Sequence, residues 1–298
     1  MDQSHFFGPS LKIQRAKELL SELNSRESIF WKQCKPFIDT TPDSKTGRRF
    51  AKVRMTDPPP EMIHVLTAEI IYHLRSSLDQ IAVRLAIMSN VSKGNLSKVY
   101  FPSGKGPKEL VLDARGESRP RHRRRASAGA GIKRKEGKIE RLDADLVKLI
   151  LRQKPYPGGD DDLYSIFRLA NIDKHVELIP AANRGQLTGM QNFQSANCIV
   201  AVMLTSGTSC LYDGIPISEL GPDGTIAPLN SDAKIEVSGQ IAFGNTNVFD
   251  GLPIAPVLNR LIGRVDRLRE TITDHCIKTG RMHQNPTTNF STSKTIVM

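Results

Sequence analysis

One apolar repeat constrains this chain more than any other feature. Between Glu61 and about Ser89, the residues Ile63, Leu66, Ile70, Leu74, Leu78, Ile81, Leu85 and Met88 recur at helical spacing and form a single stripe. Ala68, Ile71, Ala82 and Ala86 make a second stripe, roughly 120° round the same helix. A helix that is apolar on two arcs must be covered on both, so the sequence predicts a long central helix. The "DPPP" at 57–60 opens it, because proline suits a first helical turn and little else in a helix. Glu69, His73, Gln80 and Arg84 mark the side left for solvent.

The rest of the chain arranges itself around that element. From Ser10 to Lys32, Ile13, Ala16, Leu19, Leu20, Leu23 and Phe30 recur at helical spacing, with Ser10 as the expected N-cap. A turn and a short strand over 49–55 follow. "DADLVKLILRQ" reads as a short helix, and residues 163–179 as another, with Asp160 to Asp162 suiting its positive N-terminal end. Beyond Pro180 the period changes to strands separated by Gly, Asn and Asp turns, and then "IAPVLNRLIGRVDRLRETITDHCI" returns to helix. Helices, then strands, then a helix is an α+β order. The expected fold has a helical first half, an antiparallel sheet over about 193–243 and a C-terminal helix packed on it. One domain spans 1–280, and a disordered tail covers 281–298.

The formal net charge of +11 is unevenly placed. Residues 115–138, "RGESRPRHRRRASAGAGIKRKEGK", hold ten Lys/Arg against two Glu, which leaves only +3 for the other 274 residues. Almost no apolar side chain interrupts the tract, so the insert at 114–138 is expected to be disordered. Arg121, Arg123, Arg124, Arg125, Lys133, Arg134 and Lys135 are its candidate contacts to a phosphate backbone, against the alternative of a solvated loop. RNA or another nucleic acid is the partner this charge implies. The longest apolar run, "CIVAVML", is a buried strand's length, and the first residues lack an apolar signal segment. A membrane is therefore not an expected partner, and the expected location is cytoplasmic. The four cysteines show no C-x-x-C spacing, so neither structural zinc nor a disulfide framework is expected. No phosphate-cradling glycine motif occurs, and no cofactor is called for. Homo-oligomerisation is not decided by the sequence.

One polar constellation stands out. On the helix 163–179, Arg168, Asn171 and His175 share a narrow strip between apolar arcs, at i, i+3 and i+7. The central helix offers Arg75 and Asp79, spaced i,i+4, on its alanine-rich face. If the two helices pack through those strips, the five side chains meet. A histidine can then move protons and an arginine can stabilise charge on phosphate oxygens, with no metal. The same five groups can equally satisfy one another between two helices and do no chemistry.

"YHLRSSLDQIAVRLA" together with "QKPYPGGDDDLYSIFRLANIDKH" resembles a widespread bacterial family of uncharacterised proteins. That family pairs an HNLRSALDHLA-like helix with a QPY…NIDKHR segment. The likeness extends over most of residues 10–278. Gln80 stands where a histidine is usual, and Val176 where an arginine often follows the histidine. A looser resemblance is to the HEPN helical nucleases, through Arg168 and His175 with six residues between them. Leu169 there occupies a position where that motif prefers a polar residue. Two functional expectations follow. One is an RNA- or nucleotide-directed protein of defence or stress type, such as a metal-independent ribonuclease. The other is a non-catalytic interaction or scaffold protein whose polar network is structural.

Overall fold

The computed structural model describes residues 6–33, 57–116 (residue 116 closing the stretch), 136–172, 240–244 and 247–282 with their side chains. Backbone alone is described for 36–39, 50–55, 173–175, 181–187, 190–195, 198–203, 215–219 and 237–239. The elements run α1 (Phe7–Gln33), β1 (Pro36–Asp39), β2 (Phe50–Met55), α2 (Glu61–Met88), α3 (Lys93–Leu96), α4 (Pro107–Arg115), α5 (Ala144–Leu151) and α6 (Asp161–His175). Then come β3 (Ala181–Leu187), β4 (Met190–Ser195), β5 (Cys198–Met203), β6 (Ile215–Glu219), β7 (Val237–Phe243) and α7 (Ile254–Lys278). Helix dominates the described residues.

The central helix is as wide-faced as its sequence demands. On α2 the long stripe from Ile63 to Leu85 and the small stripe of Ala68, Ile71, Ala82 and Ala86 are all buried, and only Met88 is half-buried. Glu69 and Arg84 are exposed, whereas His73 and Gln80 are half-buried. On α7, Val257, Leu261, Val265, Leu268 and Ile272 are buried on one face, as their spacing predicts. Helix α1 begins earlier than expected. Ser10 sits inside its first turn, with its hydroxyl donating to the Phe6 carbonyl at 2.9 Å, so it is not the N-cap. Pro9 is tolerated there because a first-turn residue has no intrahelical N–H partner to lose.

The strands of residues 36–243 pair in separate antiparallel ladders: β1-β2-β6, β3-β7 and β4-β5. Only Gln240–Phe243 of β7 has described side chains. One continuous sheet over 193–243, carrying α7 on its face, is thus a finer picture than the described residues give. The domain expected over 1–280 comes as two compact units. Residues 1–14, 74–164 and 263–298 form one, and 15–73 and 165–262 the other. No described helix is long and apolar enough to cross a membrane.

Two boundaries expected from composition shift. Ala114 completes α4 and is fully buried, and Gly116 bridges Glu136, so both ends of the 114–138 insert are structured. The α7 cap extends to Arg281, one residue past Gly280, whose φ of +69° ends the helix. Its N–H reaches the Ile277 carbonyl and that of Arg281 the Cys276 carbonyl, closing a left-handed C-cap.

Candidate functional site

Arg75 and Asp79 do meet, one helical turn apart on α2, with Nη2 to Oδ1 at 3.0 Å. Both are mostly shielded, at 15% and 22% exposure. Burial pulls the Arg75 guanidinium below its ordinary value, opposed by the charges of Asp79 and then Asp113. The same Oδ1 of Asp79 accepts the Phe101 N–H at 2.9 Å. Its carboxylate therefore fixes the segment 99–103 against α2, through the buried Val99 and Phe101. Two further motif residues are also spent locally. Ser77, fully buried, donates to the Pro9 carbonyl, and the Gln80 amide lies against Gly8, where an added Cβ would come within 2.8 Å of it.

The second motif, "QKPYPGGDD", is a shaped loop. Lys154 and Gly158 adopt positive φ, and the Asp160 N–H returns to the Lys154 carbonyl at 2.7 Å. Asp160 then accepts the Leu163 N–H at 2.9 Å, capping α6, and pairs with Arg264 at 2.6 Å. Arg264 also reaches the Gln153 amide oxygen at 3.0 Å, so the loop is tied to α7 from both sides. At the far end of α7, Arg281 holds Asp143 and Asp145. Desolvation works to raise the Asp145 carboxyl, but the Arg281 charge and backbone hydrogen bonds keep it below its ordinary value. Burial raises the neighbouring Cys276 thiol to about 11, which keeps it protonated near neutral pH.

Of the other expected site residues, Arg168 is half-buried and Asn171 exposed on α6. The His175 backbone closes that helix, but its side chain lies outside the described residues, and so does its expected meeting with Arg75 and Asp79. Arg121, Arg123, Arg124, Arg125, Lys133, Arg134 and Lys135 all lie outside them too. What is described is the stem from which the basic tract leaves. Gly116 pairs with Glu136, the Lys138 N–H donates to the Asp113 carbonyl at 2.8 Å, and the Ile139 N–H donates to that of Ala114 at 3.0 Å. The two chain ends are so close that a Cβ on Gly137 would fall 2.2 Å from the backbone of Arg115 and Gly116. Only glycine permits that approach.

Beside the stem lies a cleft of about 350 Å³, lined by Lys98, Tyr100, Lys138 and Arg141 among others. It shares Glu136 and Arg141 with a shallower depression of about 680 Å³ that runs on past Arg115. Lys138 is paired with Asp113 at 2.8 Å, and Asp113 in turn accepts the Ser103 N–H, so the cleft is backed by the same segment that Asp79 secures. Sequence reasoning missed this site because its walls come from two stretches, 95–100 and 136–141, about 40 positions apart along the chain. The one signal along the chain was "SKVYFP", an exposed tyrosine set between the buried Val99 and Phe101 and two residues after Lys98. No described group of three His, Cys, Asp or Glu is placed to hold a metal. No family model, no curated protein and no solved structure matches this chain.

Proposed function

We propose that this chain is a non-catalytic nucleic-acid-binding protein that presents the basic tract of residues 117–135 on a clamped stem. The observation that carries the reading is the placement of charge: eight of the eleven net positive charges fall within 115–138, whose two ends are pinned by Gly116 and Glu136. Such a tract neutralises phosphates and releases their counterions, without needing base-specific contacts. The commitment of Asp79 to Arg75 and the Phe101 N–H supports a structural role for that pair. The test is RNA binding measured across a salt series. Replacing Arg121, Arg123, Arg124, Arg125, Lys133, Arg134 and Lys135 with glutamine should weaken binding. It should also flatten the log-affinity slope by about 0.7 for each phosphate that is no longer neutralised. An unchanged slope rejects the tract as the binding element.

A second reading, metal-independent RNA cleavage, rests on the exposure of Asn171 and the partial exposure of Arg168 on one strip of α6. RNA cleavage by the wild type in the presence of a chelator, abolished by His175→Ala, would put this reading first.

A further inference from the structure

We propose that the cleft beside the stem is a second, specific contact: it holds one nucleotide unit of a single strand, the base stacked on Tyr100 and the phosphate between Lys98 and Arg141. The inference deepens the nucleic-acid reading above and rests on it for the class of ligand. Tyr100 is 45% exposed on the wall of a cleft whose volume, about 350 Å³, suits a small ligand. An aromatic so placed offers a face to any base, and stacking tolerates every sequence. The Asp79 bond to the Phe101 N–H fixes the backbone next to Tyr100, so the ring is presented from a held segment.

The phosphate position is marked by a carboxylate. Glu136 sets one oxygen 3.1 Å from Arg141 Nη2 and the other 3.6 Å from Lys98 Nζ. These contacts hold its carboxyl below the ordinary range, the Arg141 hydrogen bond foremost. A phosphate also offers two anionic acceptor oxygens to a pair of cations, so it competes for Lys98 and Arg141 by displacing Glu136. Lys138, held at 2.8 Å by Asp113, adds a fixed positive wall. Glu136 therefore acts as a local competitor of the ligand.

Binding of AMP and of a short 5′-labelled oligoadenylate strand to the full chain tests this. Tyr100→Ala should lower both affinities about tenfold with the salt slope unchanged, since a base–aromatic stack carries no counterions. Tyr100→Phe should retain wild-type binding, which separates loss of the ring from loss of fold. Glu136→Gln should raise both affinities severalfold. Wild-type affinity in Tyr100→Ala, or weaker binding in Glu136→Gln, overturns the cleft. If AMP fails to bind while the strand binds through the tract lysines and arginines alone, the cleft is overturned and the tract reading survives. If AMP binds in a Tyr100-dependent manner while neutralising the tract changes nothing, the cleft stands and the tract reading fails. A wild type that binds neither ligand overturns both.

Discussion

At the scale of single residues, the polar groups of the central helix hold the fold in place. Asp79 is the clearest case, because one oxygen serves both a mostly buried guanidinium and a backbone N–H. Removing it takes a charged partner from a mostly buried guanidinium and an acceptor from the Phe101 N–H, and breaking one side of such a pair costs more than the pair contributes. Asp79→Ala should therefore lower unfolding free energy by about 2–4 kcal/mol in denaturant titration. Arg75→Ala in the same background should add less than it costs alone, since its partner has already gone. A loss below about 1 kcal/mol, the surface-pair range, would show that the pair is not structural. The five-residue constellation was legible in the sequence only as a spacing. Arg75 and Asp79 meet because i,i+4 on one helix fixes neighbours. Nothing in spacing could tell that Phe101, 22 positions along the chain from Asp79, would supply the third member.

At the scale of elements, helices with a full apolar stripe were readable, and their ends were not. The stripes of α2 and α7 follow from the period of 3.6 and needed no partner to be recognised. Helix α4 was hidden by the basic composition that follows it, although Leu110 and Ala114 bury one side of it. The start of α6 was visible in Asp160–Asp162, whereas the Asp160–Arg264 pair depended on α7 lying beside the loop. The stem of the tract shows the same division. "EGK" looked like part of a featureless basic run, yet Gly137 is where two backbones approach within the reach of a Cβ. Gly137→Ala should force the strands of the stem apart, lowering the melting temperature by several degrees, about 1 kcal/mol or more for a chain this size. It should also speed protease cutting within 117–135. Wild-type melting and cutting would show that the close approach relaxes without cost.

At the scale of the whole molecule, a clamped stem predicts that the tract is dispensable for folding. Replacing 117–135 with a short Gly/Ser turn removes the tract while leaving enough chain to keep the Gly116–Glu136 bridge and the Lys138 and Ile139 hydrogen bonds. A loop whose ends already meet costs little to shorten. The deletion should melt within about 1 °C of the wild type, a shift of roughly half a kcal/mol. A large drop in melting temperature would show that residues 117–135 contribute to the core.

The sequence by itself determined the central helix, the helix-rich class of the described residues and the place of the excess charge, because period and composition are local properties. The three-dimensional arrangement alone decided which polar groups are used up in holding the fold and which face solvent. Asp79 is occupied by Phe101, Gln80 lies against Gly8, and Tyr100 is left exposed on a cationic cleft. Those outcomes depend on residues tens of positions apart meeting at hydrogen-bonding distance, and no pattern along the chain encodes that meeting.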